Sequence, residues 1–466
     1  MHPLEQGSDL DRTFALTDSA DENFDLTPLE DRAAALVEAA MKAGADGADA
    51  VVAASRSTGV EVRKGKVEEA EGAENNAFSL RVFVGDRAAS ISANLTSDPA
   101  ALAERAVAMA AVATPSPHVK LAPKELLADT FADLDLFDPT QLTFDQMKEL
   151  VLECEAAALD HPHVSNSSGA SFGRGLGGTV LATSSGFCGS YRSSRFSLSL
   201  AVVAGEGDGM ERDYDFDTAH HFAQLRDANE IGKHAAERAV ARLNPRRVPS
   251  QTAGVIFEPR MARSLVGHIA SALNGASVAR KTSFLRDDMG KDVFSDQISL
   301  SDDPYIQRGA SSRPFDAEGV AGPLLNLVEE GRIANWLLDT SAASELGLTS
   351  NGRAVRSGSS TSPSTSNLIL KNGTRSVEDM MKEMGTGLFV TELIGQGVNM
   401  VTGDYSRGAS GYWFENGEKA YPVSEITIAD NLRNMFAKLE PADNLEMGFS
   451  VNTPSLAIRD MTIAGS

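Results

Sequence analysis

The stretch 254-GVIFEPRMARSLVGHIASALNG-275 places a short apolar strand directly before an amphipathic helix. At about 100° per residue, Met261, Leu265, Ile269 and Leu273 form one apolar stripe. Ala262, Val266 and Ala270 widen it, so residues 261–273 read as a packing helix. His268 falls on the flank of that stripe, and Ala272 lies one turn further along the same flank. The pair Asn274-Gly275 is expected to stop the helix. No second strand-and-helix repeat follows, so a parallel βαβ sheet is disfavoured and the chain reads as α+β.

Immediately upstream, 244-NPRRVPSQT-252 carries two prolines and breaks the pattern. A domain boundary is expected there, between an N-terminal domain over 25–243 and a C-terminal domain over 253–466. In the N-terminal part, Thr27-Pro28-Leu29-Glu30 reads as an N-cap, a first-turn proline and a capping-box acid, with Gly44 ending the helix. Four strand-like segments follow: ADAVVAAS, GVEVRKGKVEEAEG, AFSLRVFVG and RAASISAN. Asp98-Pro99 opens a helix over about 99–113, and Thr143 to Gln146 opens another that runs to about Leu159. A β-rich block over 164–203 precedes a helix from about Asp227 to Leu243.

Downstream of 275 the pattern is strand-dominated. VEEGRI and FENGEK read as turns, and Asn416-Gly417 in the second is a strong hairpin signal. The stretch SGSSTSPSTSN, residues 357–367, reads as a polar loop. A terminal helix near 431–439, capped by Asp430, and a last strand in SLAIRDMTIAG close the chain. The fold class expected is α+β in two domains, an N-terminal helix and antiparallel-strand domain and a strand-dominated C-terminal domain.

The 466 residues include 42 Lys+Arg and 65 Asp+Glu, a formal net charge of −23. That field repels a phosphate backbone, so nucleic acid is not an expected partner. Residues 1–24 are acidic and carry no basic or apolar targeting region, so a disordered acidic tail is expected. No apolar run is long enough to span a bilayer, and a cytoplasmic protein follows. Two cysteines, Cys154 and Cys188, exclude a disulfide framework, and Cys154 reads as core. Gly173-Arg174-Gly175-Leu176-Gly177-Gly178 spells a dinucleotide fingerprint, but a strand follows where a helix N-terminus must hold the pyrophosphate. It therefore reads as a glycine-rich hairpin turn. Of eight histidines, His161 and His163 form one near pair, and His220 and His221 another with His234 in the helix that follows, but no acid or thiol at a telling spacing supports a metal site.

The segments GVIFEPRMARSLVGHIASALNGASVARKTSFLRDDMG, SLSDDP, TELIGQGVNMVTGDYSRGASGYWFENGEKAYPVSEITIADNL and SLAIRDMTIAG resemble the TldD/PmbA family of metallopeptidases, also called modulators of DNA gyrase. The resemblance covers roughly residues 25–466 and is to the PmbA/TldE branch. In the TldD branch this helix carries His-Glu-x-x-x-His, which holds zinc together with a distal cysteine. Here Gly267, His268 and Ala272 occupy the place of the zinc motif. The region PADNLEMGFSV, where the cysteine belongs, has none. The resemblance thus implies no catalytic residue and no metal in this chain, with zinc in a TldD-type partner. The partner is that subunit or a second copy, and the substrate an unfolded peptide. Candidate peptide-binding residues are Gly395, Gly397, Gly403, Ser406, Arg407 and Gly408 in the glycine-rich block, and Asn367 after the polar loop. Two other readings stay open. One is a stand-alone peptidase with a metal site among the histidines above. The other is a non-enzymatic protein that modulates gyrase by binding.

Overall fold

The computed structural model describes residues 24–358 and 360–465. The expected acidic tail lies outside the described residues except for Phe24, which is buried rather than part of a tail.

The N-terminal domain is a six-stranded antiparallel sheet with helices on one face. Its strands are β1 (Gly47–Arg63), β2 (Lys66–Val84), β3 (Arg87–Asn94), β4 (Val164–Thr183), β5 (Cys188–Ala204) and β6 (Glu211–Ala219), in the order β3-β2-β1-β4-β5-β6. Side chains alternate across a strand. The apolar set Ala50, Val52, Val60, Val62, Phe172 and Val180 therefore shares one face. Helices α1 (Thr27–Lys42) and α2 (Pro99–Val112) cover one end of that face. Helices α3 (Phe144–Leu159) and α4 (Ala228–Ala241) cover the other. Alanines dominate the buried helix positions, which lets the helices lie close to the sheet.

The helix starts follow their side chains. Asp98, Thr143 and Asp227 each accept from the first-turn amides, and Thr143 with Gln146 completes a reciprocal capping box. Thr27 departs from expectation: it is the first helical residue, its N-cap is Leu26, and Asp25 takes its N–H and hydroxyl. The strands are longer than the sequence segments implied. The turn between β1 and β2 is Lys64-Gly65, inside the segment GVEVRKGKVEEAEG, with both residues at positive φ. Lysine is a poor marker of that conformation, so the hairpin was not visible in the pattern. The glycine-rich run at 173–178 is likewise not a turn but the middle of β4.

The C-terminal domain joins a barrel-like sheet to a smaller one. The barrel comprises β7 (Gln251–Phe257), β14 (Thr386–Ile394), β15 (Asp404–Glu415), β16 (Glu418–Asn431) and β19 (Leu456–Ala464). Its order is β16-β15-β14-β7-β19, and β19 pairs back onto β16, which closes it; β17 (Glu440–Pro441) extends β19. The smaller sheet runs β10 (Arg332–Ile333), β9 (Leu325–Glu329), β8 (Leu300–Asp303), β13 (Asn367–Leu370), β18 (Val451–Asn452). Helix α5 (Pro259–Ala272) packs between them through Leu265, Val266 and Ile269. Pro259 sits in its first turn, two residues before the expected start.

Short helices complete the domain: α6 (Gly275–Ala279), α7 (Thr340–Leu346), α8 (Val377–Met384) and α9 (Leu432–Ala437). Asn274-Gly275 does not simply stop α5. The Asn274 side chain accepts from the amides of Ala276 and Ser277, and so starts α6. The cap of α9 is Asn431 rather than Asp430, whose carboxylate accepts from the Asn431 amide. The expected polar loop is a hairpin, β11 (Ala354–Ser357) with β12 (Ser360–Pro363), and Asn367 already belongs to β13. Ser/Thr-rich strands carry no apolar alternation, which is why they read as loop. Asn416-Gly417 does form the β15–β16 hairpin, with both residues at positive φ.

Candidate functional site

Helix α5 buries its apolar stripe and leaves Ser264, Gly267, His268 and Ser271 on the opposite flank. A Cβ built at Gly267 meets no atom within 4 Å, so that face is open. His268 is half-buried, and its ring lies 6.2 Å from that of Tyr405 at 75°. Neither His268 Nε2 nor the Tyr405 hydroxyl has a hydrogen-bond partner among the described residues. Burial, and then the positive charge of Arg407, lower the His268 pKa and favour the neutral ring. Burial pushes the Tyr405 phenol up.

The glycine-rich block reaches this flank through β15, which carries Tyr405, Ser406 and Arg407. Its glycines answer to the chain's own path. Gly395 and Gly403 adopt φ of +85° and +82°, which favours glycine. A Cβ at Gly397 would fall on the carbonyl of Ser406, whose amide donates to Gly397 O at 2.7 Å. Gly408 pairs with Ile394 across β14 and β15. Ser406 is exposed, and half-buried Arg407 places its Nε 3.4 Å from Ile394 O. Asn367 lies elsewhere, fully buried in β13. Its amide donates to Asp303 O and Ser312 Oγ and accepts from the Ser311 amide, so it holds a loop in place.

Family models for three PmbA/TldA metallopeptidase domains match residues 48–110 (domain 1), 137–243 (central) and 250–465 (C-terminal). The chain belongs to the PmbA/TldD metallopeptidase family. It is 39% identical to the metalloprotease PmbA of Escherichia coli O157:H7, over 90% of this chain and 92% of that one. The PmbA homologue of Haemophilus influenzae is 38% identical over 92% and 94%. A solved Bacteroides thetaiotaomicron structure, described under the name modulator of DNA gyrase, superposes with a TM-score of 0.86 at 25% identity. It covers 94% of this chain and 99% of its own. TldE from Thermococcus kodakarensis shares the fold, with a TM-score of 0.81 at 21% identity over 94% and 100%.

A PmbA/TldD metallopeptidase implies a metal, and the place of the zinc motif does not fit one here. Gly267 has no donor. Ala272 is fully buried in the core, on a different side of a regular helix from Gly267. His268 alone offers a nitrogen. The segment PADNLEMGFSV does return beside α5, but through Glu446, which pairs with Arg263 at 2.9 Å, and Phe449, whose ring stacks on the same guanidinium. Of the other histidines, His161 and His163 lie side by side with ring centroids 5.8 Å apart, and His161 Nδ1 accepts from the His163 amide. His220 places its nitrogens against Ser194 O and Gly309 O, His221 faces Asp135, and His234 faces Asp215. Among the described residues no three His, Cys, Asp or Glu side chains form a group that could hold a metal ion.

Two buried ionic networks join the domains, and sequence patterns did not reveal either. At the start of α5, Arg260 pairs with Asp213 of β6 at 2.8 Å and with Glu258 at 2.9 Å. Arg242 pairs with Glu392 of β14 and contacts Asp213. Burial opposes ionisation of Asp213, but the hydrogen bond and charge of Arg260 hold its pKa below the usual range. In the second network, Asp49 of β1 binds Arg81 and also Arg356 of β11, each at 2.6 Å, and Arg81 faces Glu318 at 3.7 Å. Asp316 and Asp339 lie nearby and act on Glu318 through their charge. Burial, then the Asp316 charge, push Glu318 up to about 7. The partners lie far apart in sequence, so no local spacing marks them.

Proposed function

We propose that this chain is the TldE-type subunit of a two-subunit cytoplasmic metallopeptidase that cleaves unstructured peptides. A TldD-type partner carries the zinc and the hydrolytic water. This chain holds substrate and supports assembly. The observation that carries the proposal is the donor set on α5. It keeps the helix of a metallopeptidase family but offers Gly267, His268 and buried Ala272 where a zinc site needs ligands. The peptide-facing side of the proposal rests on Ser406, Arg407 and Gly408 of β15, next to the open flank of α5. A guanidinium there can hold a backbone carbonyl or a carboxylate.

The test is reconstitution. The purified chain alone should hold no stoichiometric zinc and cleave no unfolded peptide. Mixed with a TldD-type subunit it should form a complex that cleaves one. Arg407→Ala should leave assembly intact and weaken cleavage, by about tenfold for the loss of one charge-assisted contact. Stoichiometric zinc or full activity without a partner would overturn the reading.

A further inference from the structure

The run at 173–178 resembles no working dinucleotide motif, and yet its glycines need an explanation. Gly173, Gly175 and Gly177 lie in the middle of β4 and none has positive φ. Extended backbone there suits any residue, and mid-strand glycine weakens a sheet. Gly178 is accounted for, because Leu26 and Phe24 fill the space its side chain would need. Packing does not explain Gly175, where a Cβ meets nothing within 4 Å, or Gly177, whose nearest neighbour is at 3.6 Å. Both face away from the helices.

The register shows what they build. Gly177 aligns with Ser55 of β1 and Ser193 of β5, Gly175 with Ser57 and Arg195, and Gly173 with Gly59 and Ser197. The uncovered face of the sheet is thus a floor of glycine and serine at the centre of the domain. Two cavities of about 480 and 310 Å³ lie over it and run together across Ser57, Gly175 and Arg195.

The ends of this groove differ in charge. Arg195, level with Ser57 where the two cavities meet, reaches Ala310 O at 3.1 Å, and Arg313 lines the wall of the larger cavity beyond it. Arg313 donates from Nη1 to Thr365 O at 3.3 Å and lies near the Asp316 charge, and its Nε and Nη2 have no hydrogen-bond partner among the described residues. The half-buried Arg313 thus brings a positive charge to this wall, as exposed Arg195 does beside it. At the other end the next rows hold Glu61, Glu69 and Glu71, none in an ion pair among the described residues.

We infer that this groove binds a short extended peptide. Its C-terminal carboxylate lies at Arg195 and Arg313, and its N-terminal ammonium at Glu61, Glu69 and Glu71. The bare glycines let a second backbone approach the sheet face, and the serine hydroxyls bond its amides and carbonyls. From Ser55 to Glu61 the floor spans about 20 Å at 3.3 Å per residue, the length of roughly six extended residues. The choice of a peptide, rather than another zwitterion, rests on the peptidase reading above. The groove is separate from the α5 flank.

The experiment is calorimetric titration of the full chain with an unstructured hexapeptide in three forms: free at both ends, C-terminally amidated, and N-acetylated. The free form should bind best, with roughly tenfold loss on blocking either end. Gly175→Val fills the floor without strain, so it should abolish binding while the melting temperature holds. Arg313→Gln should erase the difference between free acid and amide. Equal binding of all three forms, or wild-type affinity in Gly175→Val, overturns the groove. Displacement of the peptide by millimolar inorganic phosphate, with no dependence on the N-terminal block, would show a plain anion site and overturn it too. Cleavage by the reconstituted complex is scored separately. Cleavage that persists in Gly175→Val with no peptide bound here leaves the peptidase reading standing and removes only the groove. Groove binding without any cleavage by the complex does the reverse.

Discussion

Gly267 occupies the middle of α5 with open space beside it, and glycine there costs helix stability for no conformational need. Gly267→Ala should raise unfolding free energy by about 1 kcal/mol, read from urea denaturation. A loss of stability would show that the flank is more crowded than the geometry indicates. His268 is more than the flank residue that periodicity made it. It meets Tyr405 edge to face across a boundary where two polar atoms have no partner among the described residues. That contact joins residues 137 positions apart (405 minus 268), so helical spacing alone carried no trace of it. The glycines of the 395–408 block were legible as a cluster. Their reasons were not, because a positive φ and a close carbonyl are properties of the folded loop.

At the scale of elements, α5 is tied to the N-terminal sheet by Arg260 and Asp213. Asp213 is buried and is the one acid among the described residues that both guanidinium groups share, so its removal leaves Arg260 with Glu258 alone and breaks the link between the two arginines. Asp213→Ala should cost about 3 kcal/mol in global stability. Thermal melts and the salt dependence of domain separation check it, and a change under about 0.5 kcal/mol would count against a structural role for the network. The helices themselves were readable, because caps are local: Asp98, Thr143 and Asp227 act within three residues of their own position. The hairpin β11–β12 was not. Its Ser/Thr composition lacks apolar alternation, and its place comes from distant partners: Asp49 and Arg81 across the domains, and Asn274 and Asp316 within its own.

For the whole molecule, Glu318 ties stability to pH. Its pKa in the fold is raised to about 7 from a usual 4.5. Between those values the folded chain keeps a proton that the unfolded chain has released. The contribution of this group is therefore fully present below about pH 4.5 and is lost as pH rises through 7. Glu318→Gln should flatten that part of the pH profile, measured by denaturation from pH 5 to 8. An unchanged slope would place the proton elsewhere in the network. Among the described residues no helix is long and apolar enough to cross a membrane.

The amino-acid sequence alone determined the α+β class and the capped starts of the helices at Asp98, Thr143 and Asp227. Each of these depends on residue type and short-range spacing. Only the tertiary structure decided that Ala272 is core, that the Gly/Ser strand is a bare floor, and that Arg81, Asp49, Arg356 and Glu318 share one buried site. Burial, strand register and the neighbours of a charge are set by segments hundreds of residues apart, and those terms exist only once the chain has folded.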